Sequence, residues 1–198
     1  MARTRRIMAW MLIPLLLNGC PAVILGGATT AGYVGVQERS IGNAVDDTGI
    51  LAHIKSLYLQ SDVNTLFHGI SVEVTEGRVL LTGQVPTPEA RVEAVKLAWQ
   101  PSGVKEVINE IQIAEGYSIK QYARDAYIST RVRGRLLISK NVRSINYNVD
   151  TVKNVVYLMG IAHDQKELDI AISLAKAVDG VKQVISHVML KDSAKRIQ

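Results

Sequence analysis

Cysteine occurs once in this chain, at Cys20. One thiol excludes an internal disulfide, a thiolate metal cluster and a dithiol redox site. Histidine is nearly as scarce. His53, His68, His163 and His187 are scattered, with no His-x-x-x-His or His/carboxylate spacing that would gather a metal, and they read as surface or packing residues. No glycine-rich phosphate loop follows a strand, because Gly26-Gly27 belongs to an N-terminal stretch of small residues. Glu89, Glu93, Asp164 and Glu167 read as solvated faces and first-turn carboxylates that suit a helix dipole. The residues therefore argue for no enzyme, no metal centre and no cofactor.

Charge of one sign is also in short supply. Lys+Arg 23 against Asp+Glu 18 gives a formal +5, and Arg3, Arg5 and Arg6 precede an apolar run of the kind that is removed on export, which leaves +2. A nucleic-acid partner calls for a concentrated basic face with aromatic platforms, so that class is set aside. A local basic patch against an anionic membrane stays open. The 47% hydrophobic content is that of a packed protein, and 198 residues hold one domain or two small ones.

The amino terminus follows the three-part plan of a secretory signal: positive Arg3 to Arg6, apolar Ile7 to Leu17, then Leu17-Asn18-Gly19-Cys20. Ending on cysteine, it resembles the bacterial lipobox, which implies a thioether to diacylglycerol on Cys20 and acylation of the new amino terminus. Asn18 departs from the small or apolar residue usual there. The alternative is an uncleaved membrane helix, since no charge falls between Ile7 and Gln37, but Pro14, Pro21 and several glycines make its second half a poor helix. One acyl chain holds a protein only marginally, on the order of 10⁴ M⁻¹, whereas several hold it nearly permanently. By the same resemblance, Pro21 rather than aspartate after the cysteine favours the outer membrane. The Gly/Ala-rich run from Ala22 to Val36 reads as a flexible tether.

Beyond Asp47 the chain repeats itself. Gly83 and Gly160 close two apolar strands, Gly103 and Gly180 open two Gly-Val-Lys-x-Val segments, and each pair is 77 residues apart. In the first copy Ile50, Ile54 and Tyr58 recur at helical spacing behind Asp47, read as an N-cap. Ile70, Val72 and Val74 alternate as a strand, Thr75-Glu76-Gly77 turns a hairpin, Val79, Leu81 and Val85 return, Pro88 to Gln100 form a helix and Val104 to Ile113 a last strand. In the second copy Ile128, Val132 and Leu136 mark the first helix, and Asn154 takes the place of Gly77, as suits a left-handed backbone. Trp99 reads as a core anchor. Each copy supports only a modest core, so the two are expected to lean on each other.

This order of helix, hairpin, glycine, helix and Gly-Val-x-x-Val strand resembles the BON domain, and two copies behind a lipobox resemble the dual-BON outer-membrane lipoproteins. The resemblance implies an α+β fold, two tandem domains of helix-strand-strand-helix-strand with helices packed on a small mixed sheet. The expected divisions are a signal peptide 1–19, a lipidated tether 20–46, a first domain 47–114 and a second 122–192. It also implies a protein on the periplasmic side of the outer membrane that supports envelope integrity and binds anionic phospholipid through the second domain, chiefly its first helix.

The residues of that helix give their own argument. If Asp125 to Ile138 is helical, Ile128, Val132 and Leu136 form the core stripe, and Tyr127, Thr130, Gly134, Leu137 and Ile138 lie on the far side, where an ordinary surface helix is polar. Arg131 and Arg133 flank this patch, with Arg135 nearer the core edge. Tyrosine suits the headgroup boundary, and each basic residue near an anionic bilayer contributes about 1 kcal/mol. The first copy has His53 and Lys55 in place of Arg131 and Arg133 and is less basic. The candidate phospholipid-binding residues are therefore Tyr127, Thr130, Arg131, Arg133, Leu137 and Ile138. Two other readings stand beside this one. Tyr127, Leu137 and Ile138 pack against the first domain, or the protein is an adaptor docking on an outer-membrane assembly or cell-wall remodelling factor or a cell-division envelope protein, with lipid contact incidental.

Overall fold

The computed structural model describes residues 41–193, apart from 115 and 117. The signal-like segment 1–19, Cys20 and the Gly/Ala-rich run lie outside the described residues. The first repeat comprises α1 (Ile41–Ser61), a π-helical turn (Val63–Phe67), β1 (Ile70–Thr75), β2 (Arg78–Val85), α2 (Pro88–Ala98), β3 (Glu106–Asn109) and β4 (Gln112–Ile113). The second comprises α3 (Ile119–Ile138), a 3-10 turn (Ser144–Asn146), β5 (Tyr147–Val152), β6 (Val155–Ala162), α4 (Gln165–Lys176) and β7 (Gln183–Leu190). The α+β fold expected from the sequence is the one observed.

In each repeat the hairpin is antiparallel and the last strand returns parallel to the second, giving the orders β1-β2-β3, with β4 also on β2, and β5-β6-β7. The intervening helix supplies the crossover that a parallel pair requires. The expected last strand of the first repeat is interrupted after Asn109, whose side chain accepts from the Ile111 N–H at 3.1 Å and competes with the ladder.

The paired glycines have a steric cause. A Cβ on Gly83 would lie 2.2 Å from the Gly69 carbonyl oxygen, and one on Gly160 1.8 Å from that of Asn146. At the hairpin turns both central residues have positive φ, Glu76 (54°) and Gly77 (77°) in one repeat, Lys153 (50°) and Asn154 (69°) in the other. That is the turn whose twist matches a two-residue hairpin.

Asp47 is not an N-cap. Helix α1 begins six residues earlier, at Ile41, within the span expected to be tether, and Asp47 is a buried mid-helix residue. Its carboxylate accepts from the N–H groups of Glu76 and Gly77, both at 2.8 Å. Asp125 does the same in α3, accepting from Lys153 at 2.9 Å and Asn154 at 2.8 Å. Each buried charge thus satisfies two turn donors and clasps its first helix to its hairpin.

The helices of each repeat cover one face of its sheet. Ile50, Ile54, Tyr58, Val72, Leu81 and Leu97 are buried in one core, and Ile128, Val132, Leu136, Val149, Leu158 and Ala171 in the other. Tyr58 ties α1 to α2 by donating to the Ala94 carbonyl at 2.9 Å. Trp99 is not the core anchor expected from the sequence. It is 50% exposed at the end of α2, because Ala94, Leu97 and Ala98 already fill the inward face.

The opposite faces of the two sheets meet. Leu80, Val152, Tyr157 and Met159 form a third buried cluster, with Ile108, Val155 and Ile185 packed on it. The layers therefore run helices, sheet, sheet, helices, and β2 and β6 are buried on both sides. Every residue of the three clusters lies between Ile50 and Leu190.

Candidate functional site: the outward face of helix α3

The sheet-to-sheet contact leaves the outer helices uncovered by the partner repeat. Tyr127 is 59% exposed, Leu137 72% and Ile138 81%, so these side chains do not pack against the first domain. Thr130 and Gly134 share the face, the Thr130 hydroxyl donating back to the Ala126 carbonyl at 2.9 Å. The core stripe is the expected one, Ile128, Val132 and Leu136, joined by Asp125 and Ser129.

Helix α3 is longer than the sequence reading gave it. Ser118 is the N-cap, and its side chain accepts from the Gln121 N–H at 3.1 Å. The signal is present in Ser118-x-x-Gln121, a capping-box pattern, whereas the sequence reading begins the helix at Asp125. The added turns place exposed Ile119 and Ala123 in line with Tyr127, Thr130, Gly134 and Leu137, at steps of three or four residues. They also add Lys120 and Arg124, which helical spacing sets on the same flank as Arg131. Asp125 is the only carboxylate in the helix and is buried, so every charge α3 exposes is positive.

Arg133 departs from the expected role. Its guanidinium donates to the Val149 carbonyl on the edge strand β5. Lys55, its counterpart on α1, donates likewise to the Ile70 carbonyl on β1 at 2.9 Å. Both cations occupy edge carbonyls that would otherwise be open to another strand. Glu73 and Asp150 complete a charge cluster where the repeats join, and Thr82 donates to Asp150. Burial lowers the Lys55 ammonium from its ordinary value despite the pull of Glu73 and Asp150. Burial, then Asp150, raises the Glu73 carboxyl, with Arg133 and Lys55 opposing.

The same face of α1 is different. Gly49 stands opposite Tyr127 in the repeat, Asp46 opposite Arg124 and Gln60 opposite Ile138. The first repeat thus lacks both the aromatic and the unbroken positive charge. Among the described residues no helix is long and apolar enough to cross a membrane and no metal-binding group of residues is found.

The BON domain model matches residues 46–115 and 124–192. A protein of Anaplasma centrale known as an uncharacterized protein in the gshII 5′ region is 46% identical over 153 residues, 77% of this chain and 99% of its own length. Outer membrane lipoprotein DolP of Haemophilus influenzae is 29% identical over 172 residues, 86% of this chain and 88% of that one. Osmotically-inducible protein Y of Escherichia coli is 32% identical over 194 residues, 95% of this chain and 96% of its own. With two matched repeats that together span well over half its length, this chain belongs to the BON-domain family.

Proposed function

We propose that this protein is an outer-membrane lipoprotein, anchored through Cys20 and facing the periplasm, whose second repeat lies on anionic phospholipid and supports envelope integrity. The observation that carries the reading is the face of α3, where Tyr127, Leu137 and Ile138 stand exposed beside Arg124 and Arg131, with no exposed carboxylate on the helix. Water penalises such a face, whereas the boundary of an anionic bilayer accommodates its apolar side chains and attracts its charges. The similarity to a protein named as an outer membrane lipoprotein supports the location.

The test is co-sedimentation of the fragment 36–198, which contains every described core residue, with anionic and zwitterionic vesicles. Binding is expected to the anionic vesicles and to be lost in Tyr127→Glu and Leu137→Glu with melting temperature retained. Folded variants that bind as the wild type does would refute the site. For the anchor, Cys20→Ala is expected to abolish fatty-acid labelling and release the protein from outer-membrane fractions.

The adaptor reading has one observation of its own. Val92, exposed on α2, and Trp99, half-exposed just past its end, stand either side of Lys96 on the outer layer of the first repeat, across the joined sheets from α3. A protein partner docked there leaves the α3 face available to lipid, and Trp99→Ala then removes the partner without changing vesicle binding.

A further inference from the structure

Two hollows on the second repeat share a wall. One, of about 230 Å³, lies between the chain leaving α3 and the first turn of α4, with Lys140, Arg143 and Lys166 among its lining residues. The other, a shallow groove of about 520 Å³, runs along α4 over Ile170 and Leu174, with Ser173 and with Asp169, which accepts from the Gln165 side chain at 2.8 Å, also on its wall. Lys166 and Ile170 line both. A cleft bearing cations therefore opens onto an apolar groove. On its other side Lys140 follows Leu137 and Ile138, the exposed apolar end of α3, within three residues.

The two carboxylates at this cleft are turned to internal work. Asp164 accepts from the Glu167 N–H at 2.8 Å, and buried Glu167 accepts from the N–H groups of Arg143 at 2.8 Å and His163 at 3.1 Å. The lysines have no such role in the fold. The first repeat gives the contrast: directly after its first helix stands Asp62 where the second has Lys140, and Glu89 and Glu93 stand where the second has Lys166 and Ile170. The equivalent positions are thus acidic in one copy, whereas in the other they are cationic with an apolar extension.

We infer that this cleft is a headgroup site for one anionic phospholipid, its phosphate held by Lys140, Lys166 and Arg143 and its acyl chain lying toward Ile170 and Leu174. The inference rests on the reading of α3 as the membrane face, since it makes the cleft the rim of that face. It adds a defined stoichiometric site to what is otherwise diffuse attraction.

The experiment follows the backbone amide resonances of the fragment 36–198 during titration with dihexanoyl phosphatidylglycerol below its micelle concentration. Dihexanoyl phosphatidylcholine and inorganic phosphate are titrated in parallel. Saturable shifts are expected at Asn141 to Arg143, His163 to Glu167 and Ile170, with the zwitterionic lipid and phosphate alone at least fivefold weaker. Lys140→Gln with Lys166→Gln is expected to weaken the anionic lipid by about tenfold or more, each lysine near a phosphate contributing about a factor of five. Tyr127→Glu is expected to leave these shifts intact while removing vesicle binding, so failure of the cleft and failure of the α3 face are read separately. Shifts confined to α3, shifts that do not saturate, an unaffected double variant, or phosphate binding as tightly as the lipid would each overturn the site.

Discussion

Glu110 and His187 hold the same position in the two repeats, 77 residues apart, and meet with His187 Nε2 2.9 Å from a Glu110 carboxylate oxygen. Equivalent positions can touch only on the axis that relates the copies, as in an isologous dimer interface. Leu80 with Tyr157, and Ile108 with Ile185, are further equivalent pairs in the same cluster. The tandem repeat is thus packed as a dimer within one chain. Arg78, beside the axis, donates to the His187 carbonyl at 2.9 Å.

The pair should register in a double-mutant cycle. Glu110→Gln and His187→Gln are each expected to destabilise in urea unfolding, with a coupling of about 0.5–1 kcal/mol, as for a partly buried pair. Strict additivity would mean that the two groups do not meet in solution.

The hairpin turns make a second test. Gly77 has a positive φ, and a Cβ there would meet the Gly103 carbonyl oxygen at 2.5 Å, so Gly77→Val suffers both strain and collision. Asn154 occupies the equivalent place and donates its amide to the Gly180 carbonyl at 2.9 Å. Gly77→Asn brings the same Cβ against that oxygen, but asparagine tolerates the positive φ and, once the carbonyl shifts, its amide can make the corresponding bond to Gly103. The asparagine variant is expected to melt well above the valine one, and equal melting would show that the turn is not the constraint.

Much of this fold is legible in the chain because it rests on local signals. Glycines that backbone contact forbids from being anything else recur at one spacing, and the alternation of Ile70, Val72 and Val74 names the face they bury. What escapes is nonlocal. Asp47 looks like an N-cap because aspartate before an apolar helix usually is one, and the true partners of Asp47 and of its counterpart Asp125 lie about thirty residues onward. The joining of the sheets left a mark in Val155-Val156-Tyr157-Leu158-Met159, a continuous apolar run of the kind a strand buried on both faces shows, but a run alone does not name what covers it. Within the candidate site, the exposed face of α3 follows from helical periodicity. The inward turn of Arg133 does not, since it depends on the edge carbonyl of β5.

The charge cluster at the joint makes stability depend on pH. Burial raises the Glu73 carboxyl above its ordinary value, so the folded protein holds this proton to a higher pH than the unfolded chain does. Its contribution is fully present below the ordinary carboxylate value and is lost as pH rises through the raised one. Glu73→Gln cannot ionise. The stability of the variant relative to wild type is therefore expected to climb as pH rises above the ordinary carboxylate value and to level off once the raised one is passed, measured by urea unfolding at a series of pH values. A pH-independent difference, or one that falls, would show that the carboxylate is well solvated or fully paired.

The arginines of α3 divide by what they touch. Arg124 and Arg131 are exposed on the flank of the apolar face, whereas Arg133 is bound to the Val149 carbonyl near Glu73 and Asp150. Arg124→Ala with Arg131→Ala is expected to leave the melting temperature unchanged and to weaken binding to anionic vesicles by about 2 kcal/mol, at about 1 kcal/mol per basic residue. Added salt should shrink that difference, because it screens the attraction the two residues supply. Arg133→Ala should behave in the opposite way. It leaves an edge carbonyl without its donor and Glu73 with only Lys55 as a cation, so the melting temperature falls, while the folded fraction binds vesicles nearly as the wild type does. If Arg133→Ala instead removes binding as deeply as the double variant without lowering the melting temperature, the guanidinium turns outward to the lipid, and the division between structural and membrane-facing arginines on this helix is wrong.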